Sequence, residues 1–174
     1  MTKKIFVSYS RKDVDYKDLL RDYLKFLHTF EIADNWSCED ITIGNWHSQI
    51  QRELESSDLI IFMLSHNFFN SKYILEQEVQ KTIERIADGG KQEILCVIVR
   101  PIVGFDKIKG VISDKISPLQ EAILKLGDNQ YLPYKKVKKP LSEEHEEKIM
   151  PLLTFDPIEE AMTQIVEKII EKLK

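Results

Sequence analysis

The sequence is poor in cysteine and has no long apolar run. Its two cysteines, Cys38 and Cys96, lie in a polar stretch and inside the apolar run "ILCVIV", which favours reduced thiols over a disulfide framework. No apolar stretch approaches the roughly 18 residues that a membrane-spanning helix needs. The start, "MTKKIFVSYS", passes from two lysines directly into a strand-like pattern. We therefore expect a cytoplasmic protein without a targeting segment and without membrane contact.

The charges are not concentrated in a basic region. The chain has 25 basic and 29 acidic side chains, a net charge of −4, and these are distributed along all 174 residues. Nucleic-acid binding needs a concentrated basic face, so we expect no nucleic-acid partner. Single cores commonly include about 100 to 200 residues, and we expect one domain over residues 1–174.

Several motifs of known enzyme classes are missing as well. The sequence contains no G-x-G-x-x-G, no G-x-x-x-x-G-K-[ST] and no G-x-S-x-G. These absences exclude a conventional dinucleotide fingerprint, a P-loop and a nucleophile elbow. The four histidines, His28, His47, His66 and His145, have no cysteine or carboxylate at a metal-ligand spacing, so no metal site is predicted.

Strand-like and helix-like segments alternate along the chain. Apolar runs typical of strands occupy residues 4–10, 59–64 and 93–99, with weaker candidates at 30–36 and 129–134. Helical spacing occurs from Tyr16 to Phe30, over residues 46–54, from Ser71 or Lys72 to Gly89 or Gly90, and from Ile158 to Leu173. Asp13 or Asp15 is the expected N-cap of the first helix, and residues 135–148 are expected to be a charged surface segment. This alternation predicts an α/β fold, a central parallel sheet of about five strands with helices on both faces.

Ligands of such sheets bind outside the carboxyl ends of the strands. The candidate loops are therefore those after Ser8, around Gly44, and from Ser65 into the helix that carries Glu76 and Glu78. At about 100° per residue, the apolar side chains of this helix form one buried stripe, and the two glutamates flank it on opposite sides. The stripe consists of Leu75, Val79, Ile83 and Ile86. Helical periodicity alone does not choose between the glutamates.

Four segments in order resemble the conserved boxes of bacterial TIR (Toll/interleukin-1 receptor) domains. "KIFVSYSRKD" resembles the first box, and Trp36 followed by "DITIGNW" resembles the stretch leading into the BB loop. "SSDLIIFMLSHNFFNSKYILEQEV" resembles the third strand with its following helix, and "ILCVIVRPI" resembles the fourth strand. The resemblance covers Lys3 to about Ile102. It implies a flavodoxin-like TIR fold, which agrees with the topology expected from the periodicity.

The resemblance also implies an activity. Many TIR domains cleave NAD+ between nicotinamide and ribose with one glutamate on the helix after the third strand, and they leave ADP-ribose or a cyclic ADP-ribose. NAD+ is then the substrate, and no cofactor is expected. The family's glutamate directly precedes an aliphatic residue, which matches Glu78 before Val79 and does not match Glu76. The resemblance thus assigns the catalytic role to Glu78; the alternative is an acid in the first turn that the helix dipole favours.

Nine further residues are implied to contact the substrate. They are Ser8, Tyr9, Ser10, Arg11, Asp40, Ile41, Gly44, Trp46 and Tyr73. The "SYS" segment would line the pocket floor with Arg11 near a phosphate, although such a segment also commonly begins a turn. Trp46 would close one side and stack on a planar ring, or else pack on the core at the helix start. Tyr73 would be a pocket wall or a surface aromatic, and Gly44 a BB-loop residue or simply a turn residue.

The functional alternatives differ in whether the domain is an enzyme. One is an NAD+ glycohydrolase or ADP-ribosyl cyclase, a bacterial defence or signalling effector that self-assembly activates. The other is a non-catalytic module that binds other TIR domains through the BB loop, around Ile43 and Gly44. A more remote alternative is a nucleoside-processing enzyme of the related deoxyribosyltransferase-like folds. In TIR assemblies the BB loop of one copy packs on its neighbour, and such head-to-tail contacts can extend into filaments. The first alternative therefore predicts turnover that increases with association, and the second predicts a self-association, or a partner, that does not depend on Glu78.

Overall fold

A five-stranded parallel sheet forms the middle of the protein. The structure, a computed structural model, describes residues 2–37, 45–102, 117–126, 131–140 and 142–174, with only the backbone at 36 and 37. The strands are β1 (Lys3–Ser8), β2 (Ala33–Ser37), β3 (Leu59–Leu64), β4 (Glu93–Ile98) and β5 (Tyr131–Leu132). Their order is β2-β1-β3-β4-β5, and all pairs are parallel. The predicted parallel α/β sheet is therefore confirmed.

Helices cover both faces of this sheet. They are α1 (Val14–Thr29), α2 (Trp46–Ser56), α3 (His66–Phe69), a π-helical turn (Ile74–Val79), α4 (Gln80–Ala87), α5 (Pro118–Leu126) and α6 (Glu159–Leu173). Alternate residues of a strand point to opposite faces. Ile61 and Met63 accordingly belong to the core under α1 and α6, whereas Ile60 and Phe62 belong to the core under α2, α4 and α5. Burial on both faces explains why β3 is apolar at every position.

The strand order determines where a ligand can enter. From β1 the chain first moves outward to β2 and then crosses back to β3 on the other side of β1. The crossovers on the two sides of β1 therefore diverge, and a crevice opens at the carboxyl ends of β1 and β3. Ser8 ends β1 and Ser65 directly follows β3. Both lie at this crevice.

The structure differs from the sequence prediction at the end of the first strand and in the charged segment after β5. The first strand ends at Ser8 and not at Ser10, because Ser10 leaves the sheet and accepts a hydrogen bond from the backbone N–H of Lys12 at the start of a 3-10 turn. The charged segment after β5 is an antiparallel hairpin of β6 (Tyr134–Lys138) and β7 (His145–Ile149). Oppositely charged residues such as Lys136 and Glu147 pair across it, which favours pairing without a buried apolar face.

Candidate active site

A cleft of about 610 Å³ opens at the crevice between β1 and β3. Its size lies within the range of small-molecule sites. The residues that line it come from the loop after β1, from the start of α2 and from the segment after α3. They are Tyr9, Ser10, Arg11, Lys12, Trp46, Ile50, Ser71, Tyr73, Ile74 and Glu78. The structure thus brings six of the candidate residues into one cleft; the sequence reasoning had not included Lys12, Ile50, Ser71 and Ile74.

Glu78 lies on the floor of this cleft and is only 2% exposed. Its Oε2 accepts a hydrogen bond from the Ser8 hydroxyl, with 2.5 Å between the two oxygens. Burial raises the pKa of Glu78 to about 7, and the Ser8 hydrogen bond opposes this rise. Near neutral pH, both protonation states of the carboxyl group are therefore populated. Ser8 does not line the cleft itself but lies behind the carboxylate.

The two glutamates of this helix have different surroundings. The side chain of Glu76 is 37% exposed and pairs with Lys72 at 3.6 Å between nitrogen and oxygen. The signal that separates them was present in the sequence. Ile74 is apolar and lies four residues before Glu78, so it shares a helix face with Glu78. Ile74 is buried, which widens the buried face until it includes Glu78.

Aromatic side chains form one wall of the cleft. Trp46 and Tyr73 pack with 4.6 Å between ring centroids, and the Tyr73 hydroxyl lies 3.0 Å from Nδ1 of His47. The side chain of Asn45 caps α2 by accepting from the backbone N–H of Ser48, which fixes the helix start beside the cleft. Trp46 remains 48% exposed, so it is not a core tryptophan. Trp46 thus presents part of its aromatic surface to the cleft.

The loop after β1 forms the opposite wall. Tyr9 and Ser10 are buried, while Arg11 and Lys12 are exposed at the rim. The ammonium group of Lys17 lies 5.4 Å from the centroid of the Tyr9 ring, which supports this wall from behind. The "SYS" segment therefore both begins a turn and lines the pocket, and it brings positive charge to the rim.

Asp13 connects the loops that frame the cleft. Asp13 is the N-cap residue of α1, as predicted, but its side chain makes no cap hydrogen bond. The carboxylate is 1% exposed and instead accepts from the Ser65 hydroxyl at 2.5 Å, from the Asn67 amide at 3.3 Å and from Nε of Arg100 at 2.7 Å. These partners follow the carboxyl ends of β3 and β4, where polar side chains converge on β1. Asp13 thus joins the loop after β1 to the segments after β3 and β4.

Replacement of Asp13 by alanine is expected to lower the free energy of unfolding by about 3 kcal/mol, because two donors and one cation lose their shared acceptor. The exposed Asp15 lies two residues further along and is the matched control. Asp15→Ala should cost less than about 1 kcal/mol. Urea denaturation of both variants measures the difference, and equal losses would contradict a special role for Asp13.

The remaining predicted site residues are Asp40, Ile41 and Gly44, and they lie outside the described residues. Within the described ranges, no group of three histidine, cysteine, aspartate or glutamate side chains is placed to hold a metal ion. Among those same residues, no helix is both long and apolar enough to cross a bilayer.

Comparison with known proteins agrees with this architecture. Residues 5–122 match the family model of the TIR domain. The uncharacterized protein y4lF of Sinorhizobium fredii is 28% identical over 97 residues, which are 55% of this chain and 30% of that protein. This chain thus spans less than a third of the length of that relative.

A solved structure shows the same fold. The TIR domains of the activated Roq1 resistosome, which directly recognizes the pathogen effector XopQ, superpose with a TM-score of 0.58 at 14% identity. The superposition covers 96% of this chain and 99% of that one, and the feature that the two share is the flavodoxin-like α/β fold. With a family match over more than half of its length, the chain belongs to the TIR domain family.

Proposed function

We propose that this TIR domain is an NAD+ glycohydrolase that cleaves the bond between nicotinamide and ribose. The products are nicotinamide and ADP-ribose or a cyclic ADP-ribose. The observation that carries the proposal is the buried carboxylate of Glu78 on the floor of a cleft at the crevice of the sheet. The test is incubation of the protein with NAD+ while free nicotinamide is followed by chromatography.

The chemistry needs a single carboxylate. Nicotinamide leaves from a positively charged pyridinium, so it departs neutral and needs no proton from an acid. The ribose then develops oxocarbenium character, which an ionised carboxylate close to the ring stabilises. Among the described residues that line the cleft, Glu78 has the sole carboxylate. The Ser8 hydroxyl orients this carboxylate and stabilises its ionised form.

The walls of the cleft suit the two ends of a dinucleotide. Arg11 and Lys12 at the rim provide cations for the diphosphate. The packed rings of Trp46 and Tyr73 provide a surface on which a planar nicotinamide or adenine ring stacks. With the phosphates at the rim and one base on the aromatic wall, a dinucleotide has its ribose above the floor, where Glu78 lies.

The rate of nicotinamide release is expected to rise with pH through about 7, since the ionised form of Glu78 is the active one. Below this midpoint, kcat/KM should fall about tenfold per pH unit. Ser8→Ala removes the hydrogen bond that lowers the pKa of Glu78, so its midpoint should lie at higher pH than that of the wild type. Initial rates between about pH 5 and pH 9 test this; a flat profile in both proteins would exclude Glu78 as the titrating group.

Self-association is a further part of the proposed function. The structural neighbour is an activated assembly that contains TIR domains, and a cytoplasmic defence or signalling effector of this kind would be switched on by association of its copies. Nicotinamide release per protein molecule is therefore expected to increase with protein concentration. Rates measured over a wide concentration range, beside light scattering of the same samples, relate turnover to assembly. A constant specific activity during visible assembly would remove this part of the proposal.

A further inference from the structure

Tyr73 and Glu78 line the same cleft although they are five residues apart in one helical segment. In a regular α-helix, five residues correspond to a separation of about 140° around the axis, which places two side chains on nearly opposite faces. In this protein the segment between them is a π-helical turn, in which the backbone N–H of Gln80 donates to the carbonyl of Leu75. Bonds from i to i+5 bring residues five apart close to one face. The π turn is therefore what puts the aromatic wall and the carboxylate on one cleft.

Such a turn needs support from outside its own helix. The π-helix is rare, and it occurs mainly as single turns within α-helices, often at functional sites. A side chain that donates to a carbonyl of the turn from a neighbouring element opposes relaxation to a regular α-helix, because a change of helix type would move that carbonyl away from its donor.

Gln51 on α2 makes this contact. Its amide Nε2 donates to the carbonyl of Gln77, inside the π turn, at 2.8 Å. Its Oε1 accepts from Nη2 of Arg85 on α4 at 3.4 Å, which fixes the orientation of the amide group. Arg85 also lies 3.8 Å from the carboxylate of Glu55 on α2. Gln51 thus joins α2 to both halves of the helix that carries Glu78, and it is not among the residues that line the cleft.

We propose that Gln51 is a positioning residue for Glu78, since its amide holds the π turn that directs Tyr73 and Glu78 into the same cleft. Gln51 does not contact the substrate. Its effect on turnover rests on the proposed function, whereas its effect on the burial of Glu78 is independent of any activity. The two effects are measured separately.

Other charged and polar groups surround Glu78, and their effect on the measurement must be the same in all variants. Tyr9, Arg11 and Lys12 face Glu78 from the loop after β1, and Tyr73 faces it from its own helix. Ser8, at the end of β1, donates a hydrogen bond to it. His47 lies behind Tyr73 on α2, and Glu55 and Arg85 lie beyond Gln51. All of them are present in every protein compared below. Each variant is therefore measured with and without Glu78→Gln, so that their contributions cancel.

The first measurement is the unfolding constant in denaturant at about pH 5 and about pH 8. For each protein we take the ratio of the unfolding constant at about pH 8 to that at about pH 5. In the wild-type background, Glu78→Gln should change this ratio by a factor of roughly 70, because the pKa of Glu78 is about 7 in the folded protein and 4.5 in its ordinary state. With Gln51→Met, which removes both hydrogen bonds, this factor should fall below about tenfold. Gln51→Glu retains an acceptor for Arg85 but loses the donor to Gln77, and it should behave in the same way.

Gln80→Met is the matched control, because the Gln80 side chain lies in the next turn and its amide donates to Glu84 within α4. It should retain the wild-type factor. Retention of the full factor by Gln51→Met, or by Gln51→Glu alone, would overturn the proposal.

The second measurement is nicotinamide release at saturating NAD+. Both Gln51 variants should lose about tenfold or more in kcat, with a smaller change in KM, whereas Gln80→Met stays within about twofold. Wild-type kcat in the Gln51 variants would overturn the catalytic half of the inference. If the wild type releases no nicotinamide at all, the proposed function fails, and the unfolding constants still decide whether Gln51 positions Glu78.

Discussion

Glu78→Gln is expected to reduce nicotinamide release from NAD+ by about a thousandfold, whereas Glu76→Gln stays within about twofold of the wild type. The two glutamates lie two residues apart on one helix, and the same substitution is made at each. Only Glu78 lies in the cleft, 2% exposed and bonded to Ser8. A neutral amide in its place retains the size of the side chain and removes the negative charge that stabilises the oxocarbenium-like transition state.

The comparison is made on folded proteins at equal and high concentration, because association is part of the proposed activation. Circular dichroism spectra of the three proteins test whether a variant with a lower rate is still folded. Equal release by Glu78→Gln and wild type would remove Glu78 from the reaction. If concentrated wild type released no nicotinamide, the non-catalytic TIR interaction module would become the better description, and its self-association should then survive Glu78→Gln.

The second large effect concerns stability. Glu78→Gln is expected to increase the free energy of unfolding at pH 8 by about 3 kcal/mol, from a pKa raised from 4.5 to about 7. The folded protein binds a proton at Glu78 more tightly than the unfolded chain does. The stability that this group contributes is therefore fully present below about pH 4.5 and is lost as the pH rises through about 7. Glutamine does not titrate, so the Glu78→Gln variant does not lose stability through this group as the pH rises.

The gain in the free energy of unfolding that Glu78→Gln gives should become smaller as the pH falls. At pH 5 the difference between Glu78→Gln and wild type should be below about 1 kcal/mol, since most of the wild-type Glu78 is then protonated in the folded state. Urea unfolding curves at several pH values measure it. Glu76→Gln, which replaces an exposed carboxylate, should show no comparable pH dependence. Parallel stability curves for Glu78→Gln and wild type would show that Glu78 is solvated, and this would also weaken its assignment to the cleft.

A mutation that raises stability and abolishes turnover would be the expected behaviour of a functional residue. Burial of an ionisable group without a counter-charge is unfavourable at neutral pH. Under the proposed function, the reaction needs a poorly solvated carboxylate, and the favourable packing of the rest of the core offsets the unfavourable burial of Glu78.

The parallel sheet could be predicted from the sequence because its strands are buried on both faces. β3 extends over Leu59–Leu64, the same bounds as the apolar run. The helices α1, α2, α4 and α6 were also recognisable, since one apolar stripe packs on the sheet and the opposite face meets water. The helix α5 was not predicted. The hairpin of β6 and β7 was not predicted, because its strands are charged on both sides and depend on pairing with each other.

The candidate site was only partly visible in the sequence. The position of Ser8 and Glu78 at the carboxyl edge followed from the rule that ligands of parallel sheets bind outside the carboxyl ends of the strands. The hydrogen bonds of Asp13 to Ser65 and Arg100 join residues 52 and 87 positions apart, and no local pattern marks such a contact. The choice between Glu76 and Glu78 came from a family resemblance, although the apolar Ile74 was a usable local sign.

The sequence by itself determined the class of fold and the edge of the sheet at which chemistry would occur. Both follow from periodicity, which is a local property of the chain. The tertiary structure decided which acid is buried and which aromatic side chain shares its cleft. Tyr73 shares the cleft of Glu78 because of the π turn between them. The i→i+5 bonding of this turn is not encoded in helical propensity, and the amide of Gln51 supports it from a different helix.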